Sequence, residues 1–250
     1  MSSTAGRPLR IVVETVVLVA IAVALAVLVK TFFVQAYYIP SGSMEPGLVK
    51  NDRILVEKPS YWGSGSPQRG DIIVFSDPGG WLDAEENAAP TGFVQKALEK
   101  IGLYPAGGHL VKRVIGIPGD TIHCCDQQGR IEVNGKALDE DSYIAPQPNC
   151  NGPMNGCGGV GWTAVVPRNH LFVMGDNRGE SADSSYHLCN PQGESPGGPC
   201  TPGTGYVSED LVVGKVVALI WPAGRFEIIH RPADFDDIPA PDSSSSAAAG

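Results

Sequence analysis

Nineteen residues, Ile11 to Val29, are apolar apart from Glu14 and Thr15, and they follow two arginines, Arg7 and Arg10. A helix of that length spans about 28 Å, close to the ~30 Å hydrocarbon core of a bilayer. Glu14 lies one turn from the start, where it can reach the headgroup region. The stretch predicts a single membrane anchor over residues 11–30. The arginines predict a cytoplasmic N-terminus at 1–10, with everything after Lys30 on the outer side. Two other readings fit the same residues. Val34-Gln35-Ala36 has the small-residue spacing of a processing site, so Val16 to Val29 could serve as the apolar region of a cleaved signal peptide. A buried core helix is the third reading, although the chain supplies few other helices to surround it.

Beyond Asp52 the pattern changes to short β-rich runs: Arg53 to Val56, Asp71 to Phe75, Leu110 to Ile117, Thr121 to Cys124, Arg130 to Val133, His170 to Met174, Leu211 to Ile220 and Phe226 to Ile229. Turn clusters such as Pro118-Gly119-Asp120 and Asn134-Gly135 separate them. The expected fold is mainly β: an antiparallel core over 37–122 and 167–229, with a smaller inserted β lobe over 123–166. Phe93, Val94, Ala97, Leu98 and Ile101 repeat at helical spacing after Thr91, which predicts a short helix near 91–102 inside an insertion. Gly 31 and Pro 21 make about a fifth of the 250 residues, short of the ~25–30% that marks disorder. The acidic, Ser- and Ala-rich end, 233–250, is expected to be disordered.

The formal net charge is −9, which disfavours a phosphate-driven grip on nucleic acid. Outside the cytoplasm cysteines tend to be oxidised. Cys189 and Cys200 bracket one loop and are expected to pair. Cys124 and Cys125 are adjacent, so partners at Cys150 and Cys157 are the natural expectation for them. No spacing is C-x2-C, so no zinc site is expected, and no other cofactor is implied.

Five segments carry the chemistry. The first is Pro40-Ser41-Gly42-Ser43-Met44-Glu45-Pro46, which on its own reads as a polar juxtamembrane linker. Then come Asn51 to Lys58, Arg69 to Phe75, Val111-Lys112-Arg113-Val114-Ile115-Gly116-Ile117-Pro118-Gly119-Asp120, and Gly175-Asp176-Asn177-Arg178-Gly179-Glu180-Ser181-Ala182-Asp183-Ser184. In this order, behind an N-terminal span, they resemble the boxes of bacterial type I signal peptidases, the membrane-bound serine–lysine leader peptidases. The resemblance runs from Tyr37 to about Pro222.

The physical chemistry of the residues agrees with that resemblance. A serine hydroxyl is a weak nucleophile unless a neighbouring base takes its proton. Strand alternation places Lys112 on the face of Leu110 and Val114. Among aliphatic groups an ammonium loses hydration, which lowers its pKa from ~10.4 and makes a usable fraction neutral. The competing reading is a surface lysine reaching past its strand neighbours to water.

The resemblance implies Ser43 as nucleophile, Lys112 as general base and Ser181 as the hydroxyl that orients the base. It implies an oxyanion hole from the Ser41 hydroxyl and the Ser43 backbone N–H. Asp176, Asn177, Arg178, Asp183 and Arg113 are implied supports of the site. Tyr37, Ile39, Pro40, Met44, Leu48 and Val111 are the implied walls of shallow apolar pockets that admit only small side chains. The implied activity is removal of signal peptides from exported preproteins after a small-x-small site. Signal peptides, membrane lipid and the secretion translocon are the implied partners, at a bacterial cell membrane crossed once.

Two departures stand out. Asn51 occupies a position where glycine is usual. Ser185 occupies one where arginine is common, which leaves Asp183 to pair with Arg178, Arg113 or backbone N–H groups. That second departure motivates a different reading, a membrane-tethered binding or chaperone module that keeps the fold without turnover.

Overall fold

The structure, a computed structural model, describes residues 6–82, 108–145, 161–190, 193–195 and 198–241. The predicted helix near 91–102, Cys150, Cys157 and the last residues of the chain lie outside these.

Gly6–Phe32 form one helix, α1. Its segment Arg10–Val29 has a mean hydropathy of 2.9 and none of it is buried. Ile11, Leu18 and Leu25 all stand exposed. A core helix would bury these side chains, so that reading does not hold, and an apolar surface of this extent calls for a nonaqueous partner. One residue, Phe33, separates α1 from the first strand. Its carbonyl accepts the Lys58 N–H at 3.0 Å, and its ring lies 5.5 Å from that of Trp62.

The strands follow in chain order: β1 (Val34–Tyr38), β2 (Arg53–Glu57), β3 (Ile72–Ser76), β4 (His109–Gly116) and β5 (Thr121–Cys124). Next come β6 (Ile131–Val133), β7 (Lys136–Ala137), β8 (Trp162–Val165) and β9 (His170–Met174). A minor hairpin, β10 (Glu194–Ser195) and β11 (Gly198–Pro199), precedes β12 (Val207–Ser208), β13 (Val212–Trp221) and β14 (Glu227–Ile228).

Among the described residues the large sheet has the order β1-β2-β13-β3-β4-β9-β12, with β14 beside β13, and the small sheet has the order β7-β6-β5-β8. Every pairing is antiparallel. The mainly β fold behind an apolar helix is as the sequence predicts. Ile72, Ile73, Val74 and Phe75 of β3 are all buried, because this strand is covered on both faces by two apolar clusters. Although three strands separate β1 from β4, the Tyr37 ring of β1 lies 5.4 Å from the His109 ring of β4. The large sheet therefore curls, and its two flanks face each other across the Ile39, Met44 and Leu48 cluster.

The small sheet packs its own core, Ile122, Ile131, Val133 and Ala164, against Phe172 and Met174 of β9. Asn134 and Gly135, at φ 51° and 76°, make the tight turn between β6 and β7, as the Asn-Gly pair predicts. Two differences from expectation fall near it. The chain beyond Pro232, expected to be disordered, packs Phe235 and Ile238 into this core at 2% and 8% exposure. Two apolar side chains three apart suffice to anchor a segment whose overall composition is acidic. Cys124 bonds to Cys125 rather than to Cys150 or Cys157, a pairing of neighbours that closes no long loop. Cys189 and Cys200 are joined, as expected.

Candidate active site

Ser43 stands in the loop between β1 and β2. Backbone bonds from Ile39 N–H to Asp52 O (2.9 Å) and from Asn51 N–H to Ile39 O (3.0 Å) close that loop at its base. Asp52 Oδ2 accepts the Val49 N–H at 2.8 Å and Arg225 Nη2 at 3.1 Å. Asn51 has φ 76°, the left-handed region where asparagine is the best non-glycine residue. The Tyr38 hydroxyl donates to its side-chain carbonyl. Asparagine can therefore stand where glycine is usual.

Lys112 lies within β4, in register with Ile73 of β3. It is 4% exposed, between Leu110 at 7% and Val114 at 0%, so it is not the solvent-reaching lysine of the competing reading. Its Nζ stands 2.6 Å from Ser43 Oγ. The exposed Ser41 places its Oγ 3.3 Å from the same oxygen, on the solvent side.

The third segment follows β9. A Cβ on Gly175 would collide with the Ser43 carbonyl oxygen and with Ser181 Oγ, so only glycine lets this loop pass against the Ser43 backbone. Asn177 then holds two carbonyls of the serine loop, its N–H donating to Ser43 O at 3.1 Å and its Nδ2 to Gly42 O at 3.2 Å. Arg178 Nε donates to Gly175 O at 3.0 Å.

Arg113, next to Lys112, forms a bidentate pair with Asp176 at 2.8 and 2.7 Å and donates through Nη1 to Gly70 O at 2.9 Å. Burial disfavours the Arg113 cation, but the Asp176 carboxylate outweighs burial and holds its pKa above the ordinary value. Arg178 is 1% exposed and behaves alike. Burial opposes its charge, and Glu140, bound at 2.7 and 2.5 Å, more than compensates.

Asp183 pairs with neither arginine. Its Oδ2 accepts the Gly175 N–H at 2.9 Å, and its Oδ1 accepts the Ser185 N–H at 3.0 Å and the Ser185 hydroxyl at 2.8 Å. Both arginines are committed to other carboxylates. Ser181 is completely buried and its Oγ has no hydrogen-bond partner. The bond to the base amine that the resemblance implies is not made, and Lys112 Nζ is turned to Ser43.

Of the expected pocket residues, Ile39, Met44 and Leu48 are core residues at 1–2% exposure. They hold the serine loop rather than offer an open wall. Tyr37, Pro40 and Val111 keep accessible surface. Burial pushes the Tyr37 phenol up to about 12, so it stays neutral. His187 stacks on Trp81 with ring centroids 4.7 Å apart. Burial holds its pKa below the ordinary value, against the opposing charges of Asp183 and Asp77.

Glu140 and Tyr143 are not among the residues that the sequence singles out. Glu140 stands in the run Asp139-Glu140-Asp141, which reads as a solvated acidic turn, and only its 5% exposure and its arginine partner distinguish it.

The sequence model of the family described as "Signal peptidase, peptidase S26" matches residues 12–221. A probable signal peptidase I of Mycobacterium leprae is 40% identical over 227 residues, covering 85% of this chain and 77% of its own. The signal peptidase I of Mycobacterium tuberculosis is 39% identical over 232 residues, covering 87% and 75%. A probable signal peptidase I-2 of Synechocystis is 34% identical over 213 residues, covering 85% and 75%.

Proposed function

The chain belongs to the signal peptidase family and is an endopeptidase that removes signal peptides from exported preproteins; from that premise we propose that Ser43 is its nucleophile and Lys112 its general base. The observation that carries this reading is the 2.6 Å separation of Lys112 Nζ and Ser43 Oγ in a place where both residues are under a tenth exposed. Burial favours the neutral amine over the ammonium, and a neutral amine can accept the serine proton. Ser43 Oγ attacks the scissile carbonyl carbon as its proton passes to Lys112 Nζ. The oxyanion is met by the Ser43 N–H and the Ser41 hydroxyl, each such donor worth roughly 3–4 kcal/mol to the transition state. The C–N bond breaks as the amine leaves with the proton from Lys112. Lys112 then deprotonates a water that attacks the acyl carbon, and it returns that proton to Ser43 Oγ as the C–Oγ bond breaks. Ser181 acts by orienting the amine once substrate binds.

The substrate binds extended along the outer edge of β1, adding a strand to the sheet, with Tyr37, Pro40 and Val111 limiting the side chains next to the scissile bond. The catalytic core comprises 37–122 and 167–229, and 123–166 is a smaller lobe. The protein is anchored in a membrane by α1, and Arg7 and Arg10 favour a cytoplasmic N-terminus. Because one residue separates α1 from β1, the site is held at the bilayer surface where signal peptides leave the translocon. The non-catalytic reading rests on Ser185, and the bonds that Ser185 makes to Asp183 remove its motive.

The test is incubation of the full chain in detergent with a peptide carrying an Ala-x-Ala site. Cleavage after the second Ala, absent from Ser43→Ala, is expected. An inert native protein with an intact melting transition would return the non-catalytic reading.

A further inference from the structure

The turn after β7 meets the segments that carry Ser43, Lys112 and Ser181 at once. Glu140 forms its bidentate pair with Arg178, and Glu140 Oε1 also accepts the Tyr143 hydroxyl at 2.5 Å. The Tyr143 and Ile144 N–H groups both donate to the Glu140 carbonyl at 3.1 Å, closing the turn. The Arg113 guanidinium lies 4.4 Å from the centre of the Tyr143 ring. Ile144 forms a β-bridge with Pro46, three residues beyond Ser43. The Ala145 N–H donates to Asp176 O at 2.9 Å.

From this convergence we infer that Glu140, carried by the small sheet, is a positioning residue that sets the place of Ser43 relative to Lys112. The inference rests on the reading of Ser43 as the nucleophile. Arg178 cannot shed its charge, and a buried guanidinium without its carboxylate must move or be hydrated. Its Nε is bonded to Gly175 O, and two residues from Gly175 the Asn177 N–H holds Ser43 O. A displaced Arg178 therefore draws on the backbone bond that fixes the nucleophile. Burial and the Glu140 charge both push the Tyr143 phenol well above its ordinary pKa, which keeps it a donor to Glu140.

The experiment measures kcat, KM and melting of the full chain in detergent, with the Ala-x-Ala peptide as substrate. E140Q should lower kcat about 100-fold, the cost of a misplacement of order 1 Å, while KM stays within about threefold. E140D, which restores the charge, should recover part of kcat. The double variant E140M/R178M replaces the pair by apolar side chains and should return melting towards the native value while kcat stays low, which a merely structural pair would not do. It also serves if E140Q fails to fold. A folded double variant that cleaves within about threefold of native, beside an inert S43A, overturns the inference alone. Cleavage by S43A overturns the nucleophile reading and this inference with it.

Discussion

Asp183 accepts both the backbone N–H and the hydroxyl of Ser185, at 3.0 and 2.8 Å, through a single carboxylate oxygen. The residue that stands where an arginine is common satisfies the carboxylate from two positions away. Its other oxygen reaches back to the Gly175 N–H at 2.9 Å. Asp183 thus ties the turn that carries Ser181 to the glycine that presses on Ser43. All three of Asp183, Ser184 and Ser185 are at most 1% exposed, so the bonds are made away from water, where losing one is costly.

Ser185→Ala should therefore lower stability by about 1.5–3 kcal/mol, the worth of a hydrogen bond to a charged group. Asp183→Ala should cost more, since it strands two buried N–H donors, and it should reduce cleavage by releasing Gly175. Chemical denaturation of both variants beside the peptide assay checks this. A silent Asp183→Ala in both measurements would mean that the carboxylate supports nothing.

The proposed pairing of Ser43 with Lys112 predicts non-additivity. Ser43→Ala and Lys112→Met should each abolish cleavage, and the double variant should cost little more than either, because two groups that act as a unit are lost together. Methionine keeps the apolar stem of Lys112, so folding should survive. Lys112→Arg should be inert as well, since a guanidinium stays protonated. Cleavage by the native protein should rise with pH as the amine deprotonates. A profile governed by a group near 6.5, the histidine reference, would shift suspicion to His109 or His187.

The readable parts of the chain are those whose signal is local. The alternating and apolar runs that begin at Arg53, Asp71, Leu110, Thr121, Arg130, His170, Leu211 and Phe226 all emerge as strands to within about a residue, because each run carries its own period. β1 did not announce itself. Val34 to Tyr38 follows the anchor without a turn residue, and its aromatic side chains suit a membrane interface as well as they suit a strand. Ser43 and Lys112 are legible through the segments around them, although 69 positions separate them in the chain. Glu140 is illegible for the opposite reason. Flanked by Asp139 and Asp141, it differs from them only in what the fold places beside it, an arginine 38 positions away. Phe235 is hidden in the same way, by neighbours whose composition describes the segment but not its one anchoring side chain.

His187 predicts a pH dependence of stability. Its pKa is below the ordinary 6.5, so between the folded and unfolded values the unfolded chain binds more protons than the native one. Stability then rises with pH across that window and is lost as pH falls below about 7. His187→Phe keeps a ring to stack on Trp81 and removes the titration. Melting temperatures between pH about 7 and 5 should therefore fall less steeply for the variant than for the native protein. Equal slopes would mean that His187 is not neutral in the fold.

Ser181 separates stability from catalysis. Its hydroxyl is buried and without a partner, so its removal breaks no hydrogen bond and relieves the desolvation of an unpaired polar group. Ser181→Ala should melt at or slightly above the native temperature, with a gain of up to about 1 kcal/mol. If the hydroxyl engages the Lys112 amine only when a substrate chain occupies the site, the same variant should lose kcat and leave KM nearly unchanged. Ser181→Cys, with a longer and softer donor, should fall between the two. Asp176, Arg178 and Asp183 do not separate the two effects in this way, since each holds buried partners whose loss lowers stability as it slows the reaction. A Ser181→Ala protein with native kcat and raised stability would remove the orienting role and leave Lys112 aligned by its place in β4 alone.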